Sequence, residues 1–361
     1  MSTKRIGIVF PGYGQQYIGM CKDLYDHHRI VQEFFEQASA SCDINFVKLL
    51  FASSDEEIFS IRNGYLAIFL FEVSLYEILY KQGLRPDFVA GYGIGEYAAA
   101  YATRSLSFVD SFYILNKYSQ FYYEFIQDKS YDCLRIVREF TLEDIEKLCE
   151  KKSTKTKVAY VSAQNTQHAF YIAGHIDVLE KVQEHCIKNV IRKVRIIGPE
   201  YGMQSNLVDQ IVEQLKLYYH KIKFAPLQVP LITNVDGVYV TTPDALESSI
   251  MRKINHRIEW HEVIQGFQGC DIIMSIGPGD QLIEWFKEVY PDKEYYQVQT
   301  LKDFQGISQY LKESELEIQA NTSTDTMQQS VEKNLEQSKF KNLYEADLIN
   351  EKSSDFDIED D

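Results

Sequence analysis

Phe88-Val89-Ala90-Gly91-Tyr92-Gly93-Ile94-Gly95-Glu96 is the stretch from which the fold of this chain can be read. A short apolar run ends in alternating glycines, and Tyr97 to Tyr101 then begins a segment with helical spacing. A strand that enters a helix through so tight a turn is the junction of an α/β unit. The same order occurs earlier: Arg5 to Phe10 reads as a buried strand, and Pro11-Gly12-Tyr13-Gly14 as a glycine-rich turn before a helix. Two such junctions predict an α/β domain with a mainly parallel sheet.

Outward from these turns, Tyr65 to Gln82 is apolar round most of its circumference and reads as a buried helix. From Tyr131 to Val194 the pattern changes. Strand Cys133–Val137, helix Thr141–Lys151, strands Val158–Ala163 and Ala169–Ala173, helix Val178–Lys188 and strand Arg192–Ile197 give a β-α-β-β-α-β order. That is the ferredoxin-like arrangement, so a small subdomain at 129–197 is expected inside a large domain built from 1–128 and 198–316. Leu231 to Gly237 and Ile272 to Gly279 read as later strand-and-turn units of the large domain. From Asn321 onward eleven acidic residues stand against four lysines, with few large apolar side chains. The segment 317–361 is therefore expected to be a disordered acidic tail. Phe340 to Ile349 could form a short amphipathic helix on a partner, and a plain solvated tail is the preferred reading.

The whole chain has 361 residues, 45% hydrophobic and 25% charged, which is ordinary globular composition. Its formal net charge of −16 argues against nucleic acid or an anionic membrane surface as partner. Six cysteines are scattered without metal spacing, and neither a signal-peptide core nor a membrane-length apolar run is present. A cytoplasmic protein with reduced thiols, and without metal or cofactor, is the expectation.

Five short motifs, taken in order, carry a family resemblance. Phe10-Pro11-Gly12-Tyr13-Gly14-Gln15-Gln16 resembles FPGQGSQ, and Gly91 to Glu96 resembles the nucleophile elbow GHSxGE. Ile197-Gly198-Pro199-Glu200-Tyr201-Gly202 resembles a segment containing GPFHS, and Asn234-Val235-Asp236-Gly237 and Ile276-Gly277-Pro278-Gly279 resemble later turns. Together they are similar to the malonyl-CoA:acyl carrier protein acyltransferase family over roughly residues 5 to 315. The resemblance implies an α/β-hydrolase-like core with an inserted ferredoxin-like subdomain. It also implies an activity, the transfer of a malonyl group from coenzyme A to the thiol of an acyl carrier protein. In such enzymes a serine on the elbow attacks the thioester, a histidine moves its proton, and an arginine pairs with the malonyl carboxylate. Backbone N–H groups hold the oxyanion.

Carried over residue by residue, the chemistry is missing. Gly93 stands at the serine position, Tyr201 at the histidine and Tyr118 at the arginine. Glycine supplies no nucleophile, and a phenol, with an ordinary pKa of about 10, is a poor general base near neutrality. Lys117 lies beside Tyr118, but a helical neighbour points about 100° away and is no substitute. Tyr92 replaces the usual histidine before the nucleophile, and Tyr13 a glutamine in the first turn. Glu200 replaces a phenylalanine, and its charge would repel a malonyl carboxylate if it faces the pocket. The backbone N–H groups of Tyr13 and Ile94 keep the oxyanion-hole positions, and the carbonyl that would orient the histidine maps to Lys253. Tyr92, Glu96, Glu200, His168 and Lys253 are expected to line the pocket, with His168 the one candidate for a replacement base.

Tyr13, Tyr92, Tyr118 and Tyr201 are expected to converge on the former cleft. Either they pack together and partly fill it, or they reflect drift in a chain with 25 tyrosines. The function read from this is a non-catalytic binding or regulatory protein on an acyltransferase scaffold. Its partners would be an acyl carrier protein, a coenzyme A thioester, a ketosynthase or an active paralogous acyltransferase. The alternative is a working S-malonyltransferase or thioester hydrolase of fatty acid or polyketide biosynthesis with another nucleophile. A degenerating gene product is the third reading.

Overall fold

The apolar runs that flank the glycine turns become the centre of a sheet. In the computed structural model, which describes residues 4–137, 140–189, 193–300, 302–303 and 306–307, β1 (Ile6–Phe10) and β2 (Phe88–Gly91) are buried along their whole length. Such strands belong in a parallel sheet covered on both faces. They are followed by β3 (Tyr131–Val137), β4 (Ala159–Thr166), β5 (Ala169–His175) and β6 (Val194–Ile196). The later strands are β7 (Leu231–Ile232), β8 (Tyr239–Val240), β9 (Ile258–Glu259), β10 (Ile272–Ile276) and β11 (Glu294–Val298). The segment 317–361, including Phe340 to Ile349, lies outside the described residues.

The first sheet has the order β11-β10-β1-β2-β7-β8, parallel throughout except for the β7/β8 pair. This is the mainly parallel α/β sheet that the two junctions predict. Its register matters for function, because Phe10 lies opposite Gly91 and Val9 opposite Ser275. The turns after β1, β2 and β10 therefore leave the sheet side by side at its C-terminal edge, where open α/β sheets bind ligands.

The second sheet, β6-β3-β5-β4-β9, is antiparallel from β6 to β4. Helices Leu142–Lys152 and Ile176–Lys188 accompany these four strands, and Leu134, Ile136, Ile145, Phe170, Ile172 and Val182 share a core with them. Thr141 and Asp144 close a capping box at the start of the first helix, each satisfying an N–H that the helix itself leaves open. β9 comes from the chain beyond this segment and adds in parallel to β4 through Ala163–Ile258 and Gln164–Glu259.

The buried helix runs from Ile61 to Lys81, a turn earlier than its apolar periodicity suggests. Arg62, Asn63 and Gly64 interrupt the apolar pattern in that first turn. The helix packs on Phe108–Phe125, with Phe69 stacked on Phe108 at 6.0 Å and Tyr65 tilted against Tyr118 at 5.9 Å between ring centres. Among the described residues no helix is long and apolar enough to cross a membrane, and the six thiols form no disulfide.

Candidate functional site

The elbow between β2 and the helix Gly95–Ala102 is built by close approach. A side chain on Gly91 would run into the backbone of Gly95, and one on Gly95 into the carbonyls of Phe10 and Pro11. Gly93 differs, because its φ is +55° and a Cβ there would meet nothing within 4 Å. The turn thus demands a left-handed residue at 93 while leaving its side-chain direction open, which is the geometry that presents a nucleophile when one is there. Asn234, just after β7, fastens the elbow: its Nδ2 donates to the Gly91 carbonyl at 2.6 Å and its Oδ1 accepts from Gly93 N at 3.1 Å.

The cleft over this elbow is lined by Tyr13, Tyr92, Gly93, Ile94, Glu200 and Tyr201 among the expected residues. No hydrogen bond leaves the backbone N–H of Tyr13 or of Ile94 among the described residues. The cavity measures about 30 Å³, room for a water or two and far below the ~300–1,000 Å³ of small-molecule sites. Aromatic rings take up the space. Tyr13 meets Tyr201 and Tyr65 edge-on, each at 5.5 Å, and Tyr65 continues to Tyr118 and to Tyr122 at 6.1 Å. Burial, reinforced by the Glu200 charge, pushes the Tyr13 phenol well above its ordinary range. Burial does the same to Tyr65 and Tyr122.

Several expected residues lie away from the cleft or apart from its tyrosine cluster. Tyr118 is 2% exposed and forms the floor behind Tyr65, outside the cleft lining. Tyr92 does not join the tyrosine cluster, because its ring wedges edge-on between Trp260 at 5.2 Å and Trp285 at 5.4 Å. Its hydroxyl donates to Asn165 Oδ1 at 2.6 Å. Glu96 and Lys253 are not pocket-lining: they form a sealed ion pair at 3.5 Å beneath the elbow, with the ammonium 3.9 Å from the Tyr97 ring centre. Glu96 Oε1 also accepts from the Ser249 hydroxyl at 3.1 Å and from Asn234 N at 3.4 Å. Burial lowers the Lys253 pKa to about 8, against the opposing pull of Glu96. His168 sits exposed at the tip of the β4–β5 turn and is absent from the cleft lining. The residue that the same segment sends toward the site is Asn165, buried near the end of β4, where its Oδ1 accepts from the Tyr92 hydroxyl.

Sequence reasoning missed Tyr65, Tyr122 and Asn234. Tyr122 could have been found from Tyr118, because residues four apart share a helix face. Its hydroxyl donates to the Pro199 carbonyl at 2.7 Å and accepts from Met203 N at 3.1 Å, which fixes the loop carrying Glu200 and Tyr201. Tyr65 was hidden in a helix that is apolar all round. Asn234 is in a quoted motif, yet only the fold brings it to the elbow. Chemically, the cleft offers backbone N–H groups, tyrosine rings, amides and one carboxylate. No serine, threonine, cysteine, lysine, arginine or histidine is among the described residues that line it.

Residues 8–336 match the family model described as acyl transferase domain. The malonyl CoA-acyl carrier protein transacylase of Staphylococcus aureus strain MRSA252 is 23% identical over 304 residues, covering 84% of this chain and 98% of that protein. The Bacillus subtilis protein of the same name is 24% identical over 287 residues, covering 79% and 90%. The solved transacylase of Coxiella burnetii superimposes with a TM-score of 0.80 at 22% identity, over 85% of this chain and 98% of that one. A malonyl-transacylase in complex with its type II polyketide synthase acyl-carrier protein gives a TM-score of 0.78 at 20% identity, over 83% and 97%.

Proposed function

Because the chain belongs to the acyl transferase domain family, we propose that it is a malonyl-CoA:acyl carrier protein transacylase-like protein that binds an acyl group without transferring it. The observation that carries this reading is the makeup of the cleft. The elbow keeps its geometry and its unpaired N–H groups, while residue 93 has no side chain and no lining residue is an ordinary nucleophile or histidine base. An acyl-enzyme needs a nucleophile and a base in mutual reach. Here Gly93 supplies neither, Tyr201 stands in the base's place, and Tyr118 sits under Tyr65 where a carboxylate clamp would be.

The partner that fits this reading is an acyl carrier protein or a coenzyme A thioester, as in the solved complex of a relative with its carrier. The six unpaired thiols support a cytoplasmic setting. The division into 1–128 with 198–316, 129–197 and 317–361 is part of the same proposal, with the four antiparallel strands as the inserted unit.

A transfer assay with malonyl-CoA and carrier protein, read by intact mass, tests the reading. The expected result is unmodified protein and no malonylated carrier above background. A stoichiometric malonyl adduct on the protein refutes it.

A further inference from the structure

Strand β4 is paired with β5 from Ala159 to Thr166, but on its other side β9 reaches only Ala163 and Gln164. The first half of that second edge has no partner strand, and an open edge is a template for another extended chain. The ladder decides which groups it offers. Val158 faces β5, since its carbonyl accepts from His175 N at 3.0 Å, and residues along an antiparallel strand face its partner alternately. Ala159 and Val161 therefore turn their backbone groups to the open side. Ser153 Oγ already accepts from Ala159 N at 3.0 Å. The Ala159 carbonyl and the Val161 N–H and carbonyl remain, and no loop backbone among the described residues bonds to them.

Beside this edge lies a groove of about 490 Å³, against about 30 Å³ over the elbow. Cys149, Glu150 and Ser153, on and just after helix Leu142–Lys152, form one wall, and residues 158–161 form the other. Arg257, paired with Glu146 on that helix and with Glu259 on β9, closes the end next to β9. Four extended residues span ~13 Å at ~3.3 Å each, so a segment of that length lies along 158–161. Charge selects the occupant. Lys151, Lys152, Lys155 and Lys157 fall within one short stretch of a chain whose net charge is −16. Lys157 is paired with Asp177, while the other three are in no ion pair among the described residues. Lys155 lines the groove, where Glu150 is the one unpaired acid among the described lining residues.

We propose that the open edge of β4 receives an acidic, extended segment of a partner protein, which adds as a further strand beside Ala159 and Val161 with its carboxylates toward Lys151, Lys152 and Lys155. That β4 accepts a strand on this side is seen at β9, which comes from elsewhere in the chain. The groove shares no lining residue with the cleft over the elbow, so the proposal does not depend on what that cleft binds.

The probe is a fluorescein-labelled peptide of alternating glutamate and valine, about eight residues long, titrated with the full chain and followed by fluorescence anisotropy. Saturable binding is expected, and lysine in place of glutamate should weaken it by about tenfold or more. N-methylation of every valine and of every glutamate is tested in two further peptides. Only one set of N–H groups faces β4, so one peptide should lose about tenfold and the other should stay within about threefold. Val161→Pro removes an outward N–H, which a strand edge tolerates, and should weaken binding about fivefold. The triple variant Lys151→Glu, Lys152→Glu, Lys155→Glu should weaken it about tenfold. Urea midpoints report whether each variant keeps its fold, and if Val161→Pro does not, the N-methylated peptides carry the test of strand addition. Failure of the acidic peptide to bind, or equal binding of its lysine counterpart, overturns the proposal. So does an equal effect of the two N-methylation patterns. A dimer in analytical ultracentrifugation that Val161→Pro dissolves, with no peptide bound, overturns it in favour of a second copy of this chain on the edge.

Discussion

Raising the pH should unfold this protein abruptly, and the tyrosine-filled interior sets where. Tyr65, Tyr92, Tyr97, Tyr118, Tyr122 and Tyr219 are buried, and burial pushes each phenol well above its ordinary range. Above pH ~10 the unfolded chain loses these protons while the native state keeps them, so stability falls with rising pH. One pH unit beyond that point each ring has withdrawn about 1.4 kcal/mol, and the six together about 8 kcal/mol. A domain of this kind has only ~5–15 kcal/mol in total. Lys253 acts in the opposite sense. With its native pKa lowered from 10.5 to about 8, the unfolded state binds the extra proton between those values, so this group raises stability across that window by up to ~3 kcal/mol. The net decline therefore begins above pH ~10, and the alkaline midpoint is expected near pH ~11. With circular dichroism and tyrosinate absorbance followed on one sample, exposed rings such as Tyr123 and Tyr160 should titrate first, and the last phenolates should appear only as the fold is lost. Titration of all 25 tyrosines near pH ~10 in a protein that keeps its fold would refute the argument, because the buried rings would then be reached by water.

Two substitutions probe the positions that the family resemblance assigns to the nucleophile and the carboxylate clamp. Gly93→Ser meets open space but keeps φ at +55°, so it should fold with a loss of about 1–3 kcal/mol in urea denaturation and, lacking a base, form no malonyl adduct by intact mass. Tyr118→Arg puts a cation among Tyr65, Tyr97 and Tyr122, where the nearby buried acid Glu96 is already paired with Lys253. It should cost about 3–5 kcal/mol, against under ~1.5 kcal/mol for Tyr118→Phe, both read from urea midpoints.

What the sequence made legible was local in origin. The strand–turn–helix junctions could be read because Gly91 and Gly95 are required by contacts within a few residues or with the neighbouring strand. The β-α-β-β-α-β segment was visible because its strands and helices differ in period. The site was legible where motifs fix the backbone, as at Tyr13, Gly93, Ile94 and Tyr201, all of which line the cleft. It was illegible where depth decides. Glu96 and Lys253 are polar residues of the kind that usually face a pocket, and only tertiary packing reveals that they neutralise each other under the elbow at 3.5 Å. His168 was assigned because its loop resembles one that borders the cleft in the family, yet it stands exposed in the turn after β4. Tyr92 shares a turn with Gly93 but belongs with Trp260 and Trp285.

The replacements therefore differ in kind, and that bears on how the site changed. Residue 93 is a vacancy: the backbone still holds the shape a nucleophile would use, and nothing has grown into the space. Tyr201 is a cover, its ring lying over Gly14 and against Tyr13. Tyr118 has become part of the interior, joined through Tyr65 and Tyr122 to the loop that carries Glu200. Loss of chemistry by drift alone gives no reason for the last two to be continuous. A side chain exposed in an abandoned cleft can vary freely, whereas rings packed at 5.5–6.1 Å constrain one another. The continuity of that packing, from Tyr13 to the loop that carries Glu200 and Tyr201, favours the proposed binding role over drift.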